Sequence, residues 1–321
     1  MLHRRDENLL IQTGRMLRPP SARMVDEVVQ LRPGAYVLDS TWNGLFAEER
    51  LLLRARAVWD ALHNEERTLT HVTAAALHRL PLYRVRSDRA DVALPATSRR
   101  HNGNGLRRHH VPLPNADVTV VDGMRVTTLE RTVYDVIRSV SLEAAVVVFD
   151  AALRLVAWDN DVNVYDLGAA ELFRSRVRAR VNAHPGARGI RQARFVCDFA
   201  DGRAGSAAES VSRLWMWQLG VPTPELQWRV ELPSGHYALL DFAWPALQKW
   251  GECDGRIKYT DPLMLAGRTS EQVIAEQVAR QTAVERATRW TCDRWGSPEL
   301  GTIAEFARFL RSVGLLPGRA A

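Results

Sequence analysis

Between residues 206 and 254 one helical pattern is followed by three short strand patterns in quick succession, and few folds accept that order. Ser206 opens the stretch AAESVSRLWMWQLG. Glu209 falls in its first turn, where the partial positive charge of a helix start favours an anion, and Gly220 stands where a left-handed C-cap belongs. ELQWRVEL then reads as a strand, PSGH as a turn, YALLDFAW as a second strand that is apolar except for Asp241, and KWGECDG as a third. Alternation with a period of two places Glu252 and Asp254 on one face of that third strand, and Gly251 and Cys253 on the other. An antiparallel neighbour brings Asp241 alongside.

A carboxylate in an apolar strand is costly to bury without a partner, and clustered anions repel one another, so the group asks for a cation. Oxygen-only ligands suit Mg2+. A second reading makes Asp254-Gly255 a turn and Asp241 a strand-end carboxylate, and the residues alone leave both open. The chain holds only two lysines, Lys249 and Lys258, among its 43 basic residues, and both flank these carboxylates.

With 321 residues and 46% apolar content the chain can bury a full core in about two domains. The N-terminus, MLHRRDENLL, lacks the long apolar run of a secretory signal, and no stretch reaches the ~20 apolar residues of a membrane span. The expected location is cytoplasmic, without a membrane partner. Cys197, Cys253 and Cys292 are far apart and lack C-x-x-C spacing, so they read as reduced thiols. A net charge of +6, carried almost wholly by arginine, permits nucleic acid as a partner; arginine-rich usage is also what a GC-rich genome produces.

Residues 1–45 are polar and Arg-rich, with a short helix expected at 21–31 and a turn and strand in LRPGAYVL, the outline of a degenerate winged-helix-like arm. FAEERLLLRARAVWDALH, 46–63, is an amphipathic helix, and a second follows at 71–79. DVALPA, GLRRHHV and DVTVVDGMRVTT are short β-runs, with Asp122-Gly123 as a hairpin turn. His101, His109 and His110 read as a polar loop and edge strand, because no fourth ligand is spaced for zinc. Thr128 caps the next helix, in which Arg131 and Asp135 stand four apart as an internal ion pair. A buried helix is expected at 141–157.

Residues 159–205 form an Arg-rich helical linker carrying Arg174, Arg176, Arg178, Arg180, Arg188, Arg191 and Arg194. That row is either a solvated face or a stripe that follows DNA phosphates. Further on, a helix at 269–286 bears Glu276, Gln277 and Arg280, of which Gln277 and Arg280 either face the site or, more commonly for such residues, solvate the helix, and ATRWTCDRW supplies another core strand. Walker, G-x-G-x-x-G and G-x-S-x-G patterns do not occur.

The layout D…E-x-K on adjacent strands behind a glutamate-bearing helix resembles the PD-(D/E)XK nucleases. The run from AAES through LDFAWP to GECDGRIKY resembles relatives of the very-short-patch repair endonuclease that follow AbiEi-type antitoxin modules. Upstream, LRPGAYV, HVTAAALHRLPL and VVDGMRVTTLERTVYD are similar to that AbiEi antitoxin family. The resemblance implies an α/β (α+β) protein, with a mixed antitoxin-like module over 46–158 and, over 206–321, a restriction-endonuclease-like domain whose mixed sheet is flanked by helices. It implies action on DNA by Mg2+- or Mn2+-dependent phosphodiester hydrolysis, with Asp241, Glu252 and Lys258 catalytic and Glu209, Asp241, Glu252 and Asp254 as metal ligands. The alternative is a non-catalytic DNA-binding regulator or antitoxin of a type IV toxin–antitoxin-like system, with a cognate toxin as partner. One departure matters: Asp254 stands where the motif has lysine, and Lys258 is the stand-in.

Overall fold

Apolar side chains that return every three or four positions after Phe46 give helix α2 two inner faces, and each closes a different core. The computed structural model describes residues 11–12, 28–61, 68–95, 97–98, 102–103, 105–254 and 269–317. Strands β1 (Ile11–Gln12), β2 (Val28–Arg32) and β3 (Ala35–Leu38) form an antiparallel sheet in the order β1-β3-β2. Helices α1 (Asp39–Gly44) and α2 (Ala47–Ala61) follow. Leu53 and Ala57 of α2 pack with Leu31, Ala35 and Val37 of the sheet, whereas Ala55 and Val58 pack into the neighbouring core. The helix expected at 21–31 is not what forms at its C-terminal end: Val28–Leu31 lie in β2, where Val29 pairs with Val37 and β-branched side chains suit the pleat. Residues 21–27 lie outside the described residues.

The neighbouring core gathers α3 (His71–Leu77), β4 (Ala90–Leu94), β5 (Leu106–His110), β6 (Val118–Val121) and β7 (Met124–Thr127). The β6–β7 hairpin closes through Asp122 and Gly123, both left-handed at φ 49° and 76°, as a two-residue primed turn requires. β4 and β5 run parallel, and Leu69 bridges Val92 and Val126, tying the parallel pair to the hairpin. Helix α4 (Leu129–Ile137) starts with the Thr128 hydroxyl accepting the Arg131 N–H. In α5 (Leu142–Ala157), Ala144 to Phe149 are all buried.

The chain divides into two compact units, Met1–Val156 with Leu167–Ala200, and Ala157–Asp166 with Asp201–Ala321. Helices α6 (Leu167–Ala183) and α7 (Ile190–Phe199) therefore belong to the first unit, where sequence composition suggests a linker. The reason is an apolar stripe hidden among the arginines: Ala170, Phe173, Val177 and Val181 of α6, and Ile190, Ala193 and Val196 of α7, are buried. Gly189 lets the chain turn between the two helices. Its φ is +75°, and a Cβ there would lie 2.0 Å from the Arg138 carbonyl oxygen.

The second unit begins with a hairpin of β8 (Trp158–Asp159) and β9 (Val164–Tyr165). Helix α8 (Ala207–Leu219) is capped by Ser206 and ends at Gly220 in the left-handed conformation, as its sequence implies. Then come β10 (Glu225–Glu231), β11 (Tyr237–Trp244), β12 (Lys249–Asp254), α9 (Ser270–Thr288), β13 (Thr291–Gly296) and α10 (Ile303–Ser312). The sheet order is β10-β11-β12-β13, antiparallel except that β13 runs parallel to β12. Trp250 packs with Val284 of α9, while the Trp295 indole donates to Ser212 of α8 at 2.8 Å and packs on Phe306 of α10. The mixed sheet is thus covered on both faces, and the protein is of mixed α/β class. Among the described residues no helix is long and apolar enough to cross a membrane.

Candidate functional site

β11 and β12 pair antiparallel through Trp244↔Lys249, Ala243↔Trp250 and Phe242↔Gly251, and Asp241 and Glu252 are the next residues on the two strands. The Asp241 carboxylate accepts the Cys253 N–H at 3.2 Å, taking the place of a main-chain carbonyl. Across β11, Gln227 of β10 stands at φ 52° between the pairs Leu226↔Phe242 and Trp228↔Leu240, so the sheet is irregular on that side too. Glu252 is buried, and both its oxygens face arginine: Arg280 of α9 donates to one, and Arg294 of β13 lies 2.7 Å from the other. Arg294 also donates to Asp254 at 2.8 Å. Burial works against the charge of Arg294, but Glu252 and Asp254 outweigh it and its pKa is raised.

Glu209 is buried in the first turn of α8 and accepts the Gly205 N–H at 2.6 Å. Burial, and then the nearby charges of Glu209, Asp241 and Asp254, push the Cys253 thiol up. The Cys253 sulfur is 3.9 Å from the Ser212 hydroxyl of α8, whereas Glu252 faces Arg280 of α9. Among the described residues no three Asp, Glu, His or Cys groups gather as a metal ion needs. The donor set implied by the resemblance does not fit a divalent cation in this arrangement, because Glu252 and Asp254 are already neutralised by guanidiniums.

Lys258 lies outside the described residues. Lys249 has a structural task, with its ammonium 3.1 Å from Asp293 and donating to the Val313 carbonyl. Arg280, which its helical position suggests is solvated, instead clamps Glu252. Signals for that clamp are weak in the sequence, since Glu252 and Arg294 meet through the parallel β12–β13 pairing and Arg280 reaches Glu252 from α9 between them.

The seven arginines of 174–194 split into two groups. Arg174 pairs with Glu171 at 2.8 Å, Arg176 with Glu130 at 3.1 Å, and Arg178 with Glu171 and Asp198 at 3.2 and 3.0 Å. Arg180 donates twice to the buried Asp117, once at 3.0 Å. Burial raises the Asp117 carboxyl, but the hydrogen bonds from Arg180 and Arg131 outweigh it and hold it below the ordinary range. By contrast, Arg188, Arg191 and Arg194 are exposed and stand three residues apart, on one side of α7 and its entry.

The three cysteines are free thiols, with burial pushing Cys197 up to about 11 and Cys292 up to about 12. His109 lies on β5, as its sequence context suggests, and His101 falls outside the described residues. Sequence patterning lends no prominence to His71 or Asp91, which the fold brings to His109.

No family model matches the chain. Uncharacterized protein Rv2248 of Mycobacterium tuberculosis strain H37Rv is 32% identical over 221 residues, covering 68% of this chain and 74% of that protein. Uncharacterized protein MT2308 of strain CDC 1551 / Oshkosh matches to the same extent. At this identity and coverage the chain belongs to the same family as these two mycobacterial proteins.

Proposed function

We propose that the chain is a cytoplasmic DNA-binding protein, a transcriptional regulator or antitoxin with a cognate toxin as partner, whose nuclease-like second unit binds without cutting. The observation that carries this reading is how the arginines are used. Those at 174, 176, 178 and 180 are held by local carboxylates and those at 280 and 294 by Glu252, whereas Arg188, Arg191 and Arg194 are left facing solvent. Exposed guanidiniums at helical spacing suit phosphate oxygens, and a carboxylate already bound by two arginines offers little to a cation. The order of helix, three antiparallel strands, helix and parallel strand supports the resemblance to PD-(D/E)XK proteins.

Duplex DNA titrations at stepped salt concentrations test the reading. Affinity should fall linearly on logarithmic axes as phosphates release counterions, and no cleavage should accompany binding in Mg2+ or Mn2+. Failure to bind at low salt removes DNA as the partner. A second reading, metal-dependent phosphodiester hydrolysis through Asp241, Glu252 and Lys258, is favoured by the adjacency of Asp241 and Glu252 on neighbouring strands. It requires Arg280 and Arg294 to release Glu252. Nicking of plasmid that depends on Mg2+ and disappears in Asp241→Asn would place it ahead.

A further inference from the structure

In the first unit a cleft of about 270 Å³ opens between α3, the loop after it, and the β4–β5 pair. Its floor is Asp91, whose carboxylate is only 1% exposed. One oxygen meets His109 Nε2 at 2.8 Å, with Arg107 3.6 Å away, and the other accepts the Thr73 hydroxyl at 3.2 Å. The His109 ring lies flat on His71, with centroids 3.6 Å apart and planes inclined by 15°.

The two imidazoles have different roles. His71 is buried, and burial first, then His109 beside it, drive its pKa down to about 3, so its ring is neutral. Its Nδ1 is 3.2 Å from the Thr70 hydroxyl. His109 has a carboxylate on Nε2, which fixes the ring and leaves Nδ1 for another contact. His71 also stands at φ 49°, a left-handed conformation that is unfavourable for a side chain of this size and that persists where surroundings over-determine it, often at ligand sites.

The cleft is basic. Arg84 and Arg86, both exposed, line it together with Arg107, which is 3.6 Å from Asp91, the one carboxylate among the lining residues. Val72 and Val85 add an apolar wall. Planar forks arranged around a recess suit a tetrahedral oxyanion better than a point charge would. The volume falls just under the ~300 Å³ at which drug-sized ligand sites begin, which limits the occupant to an anionic head with a small body. A backbone phosphodiester has one charge and two bulky substituents, and cannot turn three oxygens inward. A phosphomonoester carries about −1.5 to −2 charges at neutral pH and has three free oxygens.

We propose that this cleft is a binding site for a small phosphomonoester, held by Arg84, Arg86 and Arg107 against the His109 imidazole on its Asp91 support. It is separate from the arginine row on α7, and neither depends on the other.

Calorimetric titration of the full chain with methyl phosphate, inorganic phosphate and dimethyl phosphate tests it, with the imidazole NMR signals as a second readout. Methyl phosphate should bind one to one and shift the His71 and His109 ring signals. Dimethyl phosphate, the charge state of a DNA backbone phosphate, should bind at least about tenfold more weakly. Arg86→Glu alters an exposed side chain and should leave the melting temperature unchanged while weakening methyl phosphate by about tenfold or more. The proposal is overturned by any of three results: no monoester binding up to about 10 mM, which corresponds to a barely favourable free energy; equal binding of the diester; or an Arg86→Glu variant that binds as the parent does. Binding of inorganic phosphate without methyl phosphate overturns the ester assignment.

Discussion

Arg131 Nε and Asp135 Oδ2 meet at 2.9 Å on successive turns of α4, with both side chains almost wholly shielded from water. The same guanidinium donates to Asp117 at 2.9 Å and to the Pro112 carbonyl at 3.1 Å. Arg138 lies 3.5 Å from the other Asp135 oxygen, so two buried acids share three arginines counting Arg180. Removing the central cation takes a partner from each acid, leaving Asp117 to Arg180 and Asp135 to Arg138. Arg131→Met should therefore destabilise the first unit by about 3 to 5 kcal/mol, the range for breaking one side of a buried pair. Hydrogen exchange of the α4 amides measures it, and a loss under about 1 kcal/mol would mean the pair is replaceable by packing alone.

Salt dependence separates the two groups of arginines. Replacing Arg188, Arg191 and Arg194 with glutamine should flatten the log affinity against log salt plot by about 0.9 for each phosphate no longer neutralised. Arg176→Gln and Arg178→Gln, made in side chains already bound to Glu130, Glu171 and Asp198, should leave that slope nearly unchanged. Equal effects from both sets would refute the assignment of α7 as the DNA-facing surface.

His71 makes the first unit acid-sensitive before its carboxylates titrate. The unfolded imidazole takes a proton near its ordinary value of 6.5, whereas the folded one resists until about 3. Unfolded chain therefore binds more protons in that window, so stability is highest above pH 6.5 and falls as the pH drops below it, by up to about 1.4 kcal/mol per unit. The groups facing the ring are His109, Asp91, Arg138 and Arg131. His71→Asn suits the left-handed backbone and has no proton to take up. Denaturant unfolding between pH 6.5 and 4.5 should show a shallower slope for this variant than for the parent.

Gly251 occupies β12 where a Cβ would fall 2.4 Å from the Trp295 ring and 3.4 Å from Trp244. Gly251→Ala should overpack that layer and cost about 1 to 3 kcal/mol in the second unit, read from its thermal unfolding. Near-UV circular dichroism should change with it, since Trp295 is the ring displaced. An unaltered tryptophan spectrum in a fully stable variant would show that the layer can shift aside.

Local chemistry was legible in the sequence where the partners were close along the chain. The left-handed Asp122-Gly123 turn, the Thr128 and Ser206 caps, the Gly220 C-cap and the Arg131–Asp135 pair all depend on neighbours within a few residues. That Asp241 and Glu252 fall on neighbouring antiparallel strands followed from the strand order. What composition concealed were long-range pairings. The arginines of α6 look like a solvated run until Asp117 and Glu130 reach them from elements some 50 residues away. Arg280 and Arg294 reach Glu252 only through the crossover from β12 to its parallel neighbour, and β4–β5, which brings Asp91 to His109, is parallel too. At β2 the Val-Val pair sided with the sheet over a helical pattern.

The alternation of the chain between its two units bears on how such a protein can be cut and recombined. Residues 157–166 belong with the second unit and 167–200 with the first, so no single break in the gene separates them. A fragment beginning at Asp201 leaves behind Tyr165, whose hydroxyl accepts the Gly202 N–H at 3.2 Å, and Asn163, whose amide donates to the Tyr237 hydroxyl. A fragment ending at Val156 loses the two helices that cover α4, and with them Arg180 from Asp117. Exchange of one unit between relatives therefore needs three junctions chosen together, a constraint that favours inheriting the whole as one piece.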